Sequence, residues 1–147
     1  MDAVPLTNTQ SDMTHARILL VDDYSDALDM WGLYLRSCGY EVLTSGNGLE
    51  ALEIAVASRP DVIILDLDLP GITGFEAARR LKRLPATRAI PLIAATGYSH
   101  AKQLDEARRA GFDVVLVKPC EPTVLIQEIE RTLHHTPDNA PIFLGPH

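Results

Sequence analysis

The chain has 147 residues, with 20 acidic against 13 basic side chains for a formal net charge of -7, and two cysteines. That is the size of one domain, able to bury about 70% of its unfolded surface, and the acid excess, with no basic docking face, excludes a direct nucleic-acid footprint. Two cysteines without framework spacing point to a reduced compartment, and neither a secretory leader nor an apolar run of membrane-spanning length is present, so a cytoplasmic protein with no membrane partner is expected.

Residues 1–15 mix Thr, Asn, Gln, Ser and Asp without periodicity and are expected to form a flexible arm, with the domain starting near Ala16. Arg17-Ile-Leu-Leu-Val21 reads as a compact strand running straight into Asp22-Asp23. Ala27, Leu28, Trp31, Leu35 and Cys38 then recur at helical spacing, which places Trp31 in the core, and Gly39 stops the helix. Residues 41–44 give a second strand. Asn47-Gly-Leu-Glu50 has the spacing of a capping box opening a helix over 49–58, with Leu49, Leu52, Ile54 and Val56 as its apolar content.

Val62-Ile-Ile-Leu65 is an unbroken apolar run between Pro60 and Pro70-Gly71, as a strand covered on both faces requires, and it delivers Asp66 to its carboxyl end. A helix over 74–83 turns Phe75, Ala78 and Leu81 inward and leaves Arg79, Arg80, Lys82 and Arg83 as a solvated basic face. Residues 91–96 form a fourth strand ending in Thr96-Gly97, and a polar helix follows over 100–110, with an exposed His100 near its start and Gly111 at its end. Asp113-Val-Val-Leu-Val117 is the fifth strand and runs into Lys118-Pro119, after which Pro122 suits the first turn of a helix lasting to Leu133. Residues 134–147 carry three prolines and read as a flexible tail, His134-His135 included. They are too few to build a second domain, so output is expected to pass through a partner or by onward relay of a transferred group.

Five strands alternating with five helices call for an α/β domain, a single doubly wound unit with a parallel sheet between two helical layers. All parallel strands then point their carboxyl ends at one rim, which gathers Asp22, Asp23, Asp66, Thr96 and Lys118. Three carboxylates about 5 Å apart repel by roughly 3 kcal/mol per pair at an effective dielectric near 20, so such a site asks for a cation. Hard oxygen ligands without His or Cys favour Mg²⁺, with Mn²⁺ a substitute. Lys118 adds a fixed positive charge and Thr96 a hydroxyl donor, both suited to phosphoryl oxygens.

Over residues 16–133 the chain resembles the receiver domain of bacterial two-component response regulators. Asp22-Asp23, Asp66 with Pro70-Gly71 and Gly74 behind it, Thr96-Gly97 and Lys118-Pro119 stand in that family's order. The resemblance implies a flavodoxin-like five-stranded sheet with five helices, and a phospho-accepting signalling domain rather than an enzyme. Asp66 would take a phosphoryl group from a sensor histidine kinase or phosphotransfer protein. Asp23 and Asp66 would hold Mg²⁺ directly, Asp22 mostly through water, and the main-chain carbonyl of Asp68 would complete the protein ligands. Thr96 and Lys118 would hold the phosphoryl oxygens. A downstream effector protein, or a second copy in a homodimer, would use the face of the last two helices and last strand.

Two departures stand out. Val115 occupies the place, three residues before the Lys, where receivers usually carry a switching aromatic ring. Asp68 and Tyr98 lie two residues after Asp66 and Thr96, where side chains overhang the site and tune the lifetime of the phosphoryl group. Two rival readings fit the residues less well. Asp66-Leu-Asp68 has the Asp-x-Asp form of haloacid-dehalogenase-type phosphatases, but the acid pair lies upstream and Pro70 follows. A degenerate receiver serving as a binding scaffold would not need the full set of phosphorylation residues. Cys120 is expected at the site rim, with nothing except Lys118 to activate its thiol.

Overall fold

The computed structural model describes residues 16–97, 101–134 and 142–144. The strands β1 (Arg17–Val21), β2 (Glu41–Ser45), β3 (Val62–Asp66), β4 (Leu92–Thr96) and β5 (Val114–Val117) alternate with the helices α1 (Ser25–Ser37), α2 (Gly48–Ser58), α3 (Gly74–Arg83), α4 (Ala101–Ala110) and α5 (Pro122–Leu133). The five strands pair in parallel, and a short β6 (Ile142–Leu144) extends the sheet to the order β2-β1-β3-β4-β5-β6. The expected five-stranded parallel sheet and five helices are therefore present. The additional strand comes from the stretch read as a tail.

Alternate residues along each strand feed two cores, as the two-residue period of a pleated strand requires. Leu19, Val21, Ile63, Leu65, Ala94 and Val115 pack with Ala51, Ala55, Ala77, Leu81 and Ala107 of α2, α3 and α4. Ile18, Leu20, Ile64 and Leu116 face the other way, against Leu35 of α1 and Leu125 and Ile129 of α5. Every residue of β3 is buried, which accounts for its unbroken apolar run.

Helix α2 buries only part of its expected apolar content: Leu52 and Ile54 pack against the core, and its innermost residues are smaller. Ala51 and Ala55 are fully buried, whereas Leu49 and Val56 are 54% and 44% exposed. Two alanines four residues apart form the inward stripe, and helical spacing turns Leu49 and Val56 away from it. The capping box is also only half formed. Asn47 Oδ1 accepts from the Glu50 amide at 2.8 Å, but the Glu50 carboxylate turns to the Ser45 hydroxyl at 2.8 Å. Helix α3 has the same cap, with Thr73 Oγ1 accepting from the Glu76 amide at 3.2 Å.

In the basic run of α3, Arg79 and Arg80 pair with Glu76, and Arg79 also with Glu106 of α4. Lys82 departs from the expected solvated face. Its ammonium donates to the carbonyls of Arg88 and Ile90, and its stem lies so close to Gly111 that a Cβ there would approach Lys82 Cγ to 2.7 Å. Burial pulls the Lys82 pKa down, against the opposing charge of Asp113.

Candidate functional site

Strand order decides which side chains meet. β1 lies beside β3, β3 beside β4 and β4 beside β5, with Val21 level with Leu65, Asp66 with Ala95 and Thr96 with Val117. The carboxyl ends of four adjacent parallel strands therefore deliver Asp22-Asp23, Asp66, Thr96 and Lys118 to one rim. Oxygens of Asp22, Asp23 and Asp66 lie within 4.8 Å of one another. Asp22 and Asp66 are each 8% exposed and Thr96 1%, while Asp23 reaches solvent.

Main-chain bonds fix Asp22, Asp66, Thr96 and Lys118. The Asp22 amide donates to the Ser45 carbonyl, and Asp22 Oδ1 accepts from the Tyr24 amide at 3.0 Å. Asp66 Oδ1 accepts from the Asp68 amide at 3.0 Å, which turns the chain sharply after β3. Asp68 itself is exposed. Lys118 donates its amide to the Thr96 carbonyl at 2.6 Å, which locks β5 against β4 at the rim. Gly74 opens α3 directly behind Asp66. A Cβ there would overlap the Asp66 carbonyl oxygen and come within 2.7 Å of Leu67 Cα, so this approach of helix to strand admits only glycine.

The Lys118 ammonium bridges the cluster, 3.0 Å from Asp22 Oδ2 and 3.6 Å from Asp66 Oδ2. The shorter of these contacts, to Asp22, could not be read from spacing. Burial pushes the Asp66 pKa up, and the charges of Asp22 and Asp23 push the same way. The Asp68 amide and Lys118 oppose them without reversing the sign. For Lys118, burial alone would lower the pKa, but the hydrogen bond to Asp22 and the two carboxylate charges outweigh it, and the net shift is upward. Asp66 is thus a carboxylate kept from water beside two others, with one ammonium among the described residues to offset three charges. That donor set and that electrostatic excess fit a hard divalent cation.

The other expected residues fall in different places. Val115 is wholly buried beneath the α2–α4 layer. Cys120 is half-buried, and burial, Glu121 and Glu128 together raise its thiol pKa, which opposes a reactive thiolate. Trp31, expected in the core, is only half-buried. It meets Tyr34 edge to face with centroids 6.4 Å apart and walls a cavity beside Asp22 and Lys118. That cavity had no signal in the sequence, because its lining comes from distant segments. Tyr98, His100 and His135 lie outside the described residues.

Residues 18–130 match the family described as Response regulator receiver domain. The chain is 35% identical to the phosphate regulon transcriptional regulatory protein PhoB of Pseudomonas aeruginosa over 90% of its own length, and spans only 59% of that relative. It is 31% identical to the polar-differentiation response regulator DivK of Brucella anthropi, covering 79% of this chain and 94% of DivK. Among solved structures it is similar to the receiver domain of the sensor histidine kinase PA1611 of Pseudomonas aeruginosa, which has magnesium coordinated in its active-site cleft. The identity is 29% and the TM-score 0.78, over 82% of this chain and 99% of the other. The rim of acids, threonine and lysine, on a doubly wound parallel sheet, together with these matches, establishes that the chain belongs to the response regulator receiver family.

Proposed function

We propose that the chain is a single-domain response regulator that accepts a phosphoryl group on Asp66 in a Mg²⁺-dependent reaction and relays the signal to a partner protein. The phosphodonor would be a sensor histidine kinase or a phosphotransfer protein. The single-domain reading is supported by the near full-length coverage of DivK. The observation that carries the phosphorylation reading is the bridging ammonium: Lys118 stands 3.0 Å from Asp22 and 3.6 Å from Asp66, two of three clustered carboxylates.

In this reading an ionised Asp66 oxygen attacks phosphorus, and a bond from Asp66 to phosphorus forms as the bond to the donor's imidazole nitrogen breaks. The protein's part is positioning and charge stabilisation. Burial keeps water from Asp66, and the Asp68 amide fixes one carboxylate oxygen, leaving the other for attack. Lys118 turns from Asp22 and Asp66 to the transferred oxygens, and the Thr96 hydroxyl donates to another. Asp22, Asp23 and Asp66, with the Asp68 carbonyl, would hold the divalent ion, which supplies charge neutralisation at those oxygens.

Incubation with acetyl phosphate and Mg²⁺ should add one phosphoryl group, read by intact mass. Asp66→Asn should abolish the addition. Retention of the wild-type rate in that variant would overturn the assignment.

A further inference from the structure

The cavity walled by Trp31 holds about 480 Å³. Its floor is Ile64, Ala95 and Leu116 from three adjacent strands, and its walls are Met30 and Trp31 of α1 and Leu125 of α5. Volumes of roughly 300 to 1,000 Å³ with apolar walls and few polar groups characterise small-molecule sites. The cavity opens to solvent, so it is a cleft a ligand can enter and not an enclosed packing void. Two features keep it open. Ala95 stands in the middle of the sheet, where a larger side chain would fill the space, and Met30 is 61% exposed at the mouth instead of folding inward.

The charge at one end selects the occupant. Asp22 and Lys118 both line the cavity. Asp22 has one oxygen on the Tyr24 amide and the other on Lys118, which leaves about half of its roughly four acceptor positions open. Asp23 and Asp66, which do not line the cavity, lie within 4.8 Å of Asp22, so among the described residues three carboxylates cluster near one ammonium and the local excess is negative. An anionic ligand would meet that excess, and a cationic one would relieve it. The Trp31 ring and the Met30 thioether favour an aromatic body over an aliphatic one.

We infer that this cavity is a binding site for a small aromatic amine, with its ring between Trp31 and the sheet floor and its ammonium on Asp22. The site is additional to phosphoryl acceptance, and its binding is measured without Mg²⁺ or phosphodonor. Failure of either reading therefore leaves the other standing. Because Asp22 and Lys118 are common to both, occupancy would bear on the acid cluster directly.

The chain has one tryptophan, so Trp31 contributes a single indole N–H resonance that reports on the cavity alone. Titrating the metal-free ¹⁵N-labelled protein with 1-naphthylmethylamine should shift that resonance saturably. The charge-reversed 1-naphthylacetate should bind about tenfold more weakly or less. Ala95→Leu, which fills the floor, should abolish the shift while leaving phosphorylation by acetyl phosphate intact. Met30→Lys, a surface change that cannot disturb the core, should weaken the amine by placing a like charge at the mouth. An indole signal that does not move, equal binding of the two naphthyl compounds, or wild-type amine affinity in Met30→Lys would overturn the proposal.

Discussion

Asp66 is a charge held where charge is costly, and that cost is measurable without any phosphodonor. Its pKa is raised above the ordinary 3.8 by burial first and by Asp22 and Asp23 next. A carboxylate whose folded pKa is raised favours the folded state while protonated, and that contribution is lost as pH rises through the folded pKa. In the metal-free protein at neutral pH, Asp66→Asn should therefore raise the melting temperature. The gain should shrink as the pH falls toward the ordinary carboxylate value, where the wild-type group is already neutral. Thermal melts across that range check this, and an equal or lower melting temperature for the variant at neutral pH contradicts it. Gly74 is the second residue with a sharp expectation. Gly74→Ala forces a methyl into the Asp66 carbonyl and Leu67 Cα, so it should destabilise by about 1–3 kcal/mol in denaturant titrations. Gly74 was legible in the sequence as part of a motif, but the reason for it was not. That reason is a contact between backbone atoms eight residues apart, visible only once α3 is laid against β3.

The elements were read well where pattern and burial coincide. β3, β4 and β5 are apolar runs buried on both faces except at the half-buried Ala95, so their hydrophobicity is continuous and their ends are marked by the polar residues of the site. The sequence pattern is silent where burial depends on smallness or on a remote partner. The inner stripe of α2 is Ala51 and Ala55, which weigh little beside Leu49 and Val56 although the larger pair faces outward. β6 is three residues long, within a proline-rich stretch too short to show a period, and only the open edge of β5 makes it a strand. A strand edge with unpaired amides and carbonyls is a template for another chain. Removing residues 135–147 should leave the Val114–Val117 edge unpaired, and the shortened chain should self-associate more than the full chain at the same concentration, as measured by sedimentation velocity. Identical sedimentation of both would show that β6 does not protect this edge.

For the molecule as a whole, if the three clustered carboxylates hold a divalent cation as proposed, that cation is a folding ligand as well as a counter-charge for the reaction. Anything that binds only the folded state stabilises it by mass action, about 2.7 kcal/mol at a hundredfold excess over the dissociation constant. Mg²⁺ should therefore raise the melting temperature, and Asp23→Asn should remove most of the increase. An unchanged melt with Mg²⁺ in wild type would count against the metal reading. The convergence of Asp22, Asp23, Asp66, Thr96 and Lys118 could be inferred from the sequence because parallel strands share a direction. The direct pairing of Lys118 with Asp22 could not, because it joins the ends of two strands that are not neighbours, and nor could the cavity behind them, because it depends on how α1 and α5 sit against the sheet.

The central claim is that Asp66 alone becomes an acyl phosphate. Borohydride reduces an acyl phosphate of aspartate to homoserine, so reducing the protein after acetyl phosphate and Mg²⁺ treatment, then mapping its peptides by mass spectrometry, marks the acceptor by position. The account expects homoserine at position 66 and nowhere else. Homoserine at position 22, 23 or 68, or none at all in protein that has gained a phosphoryl group, would contradict it.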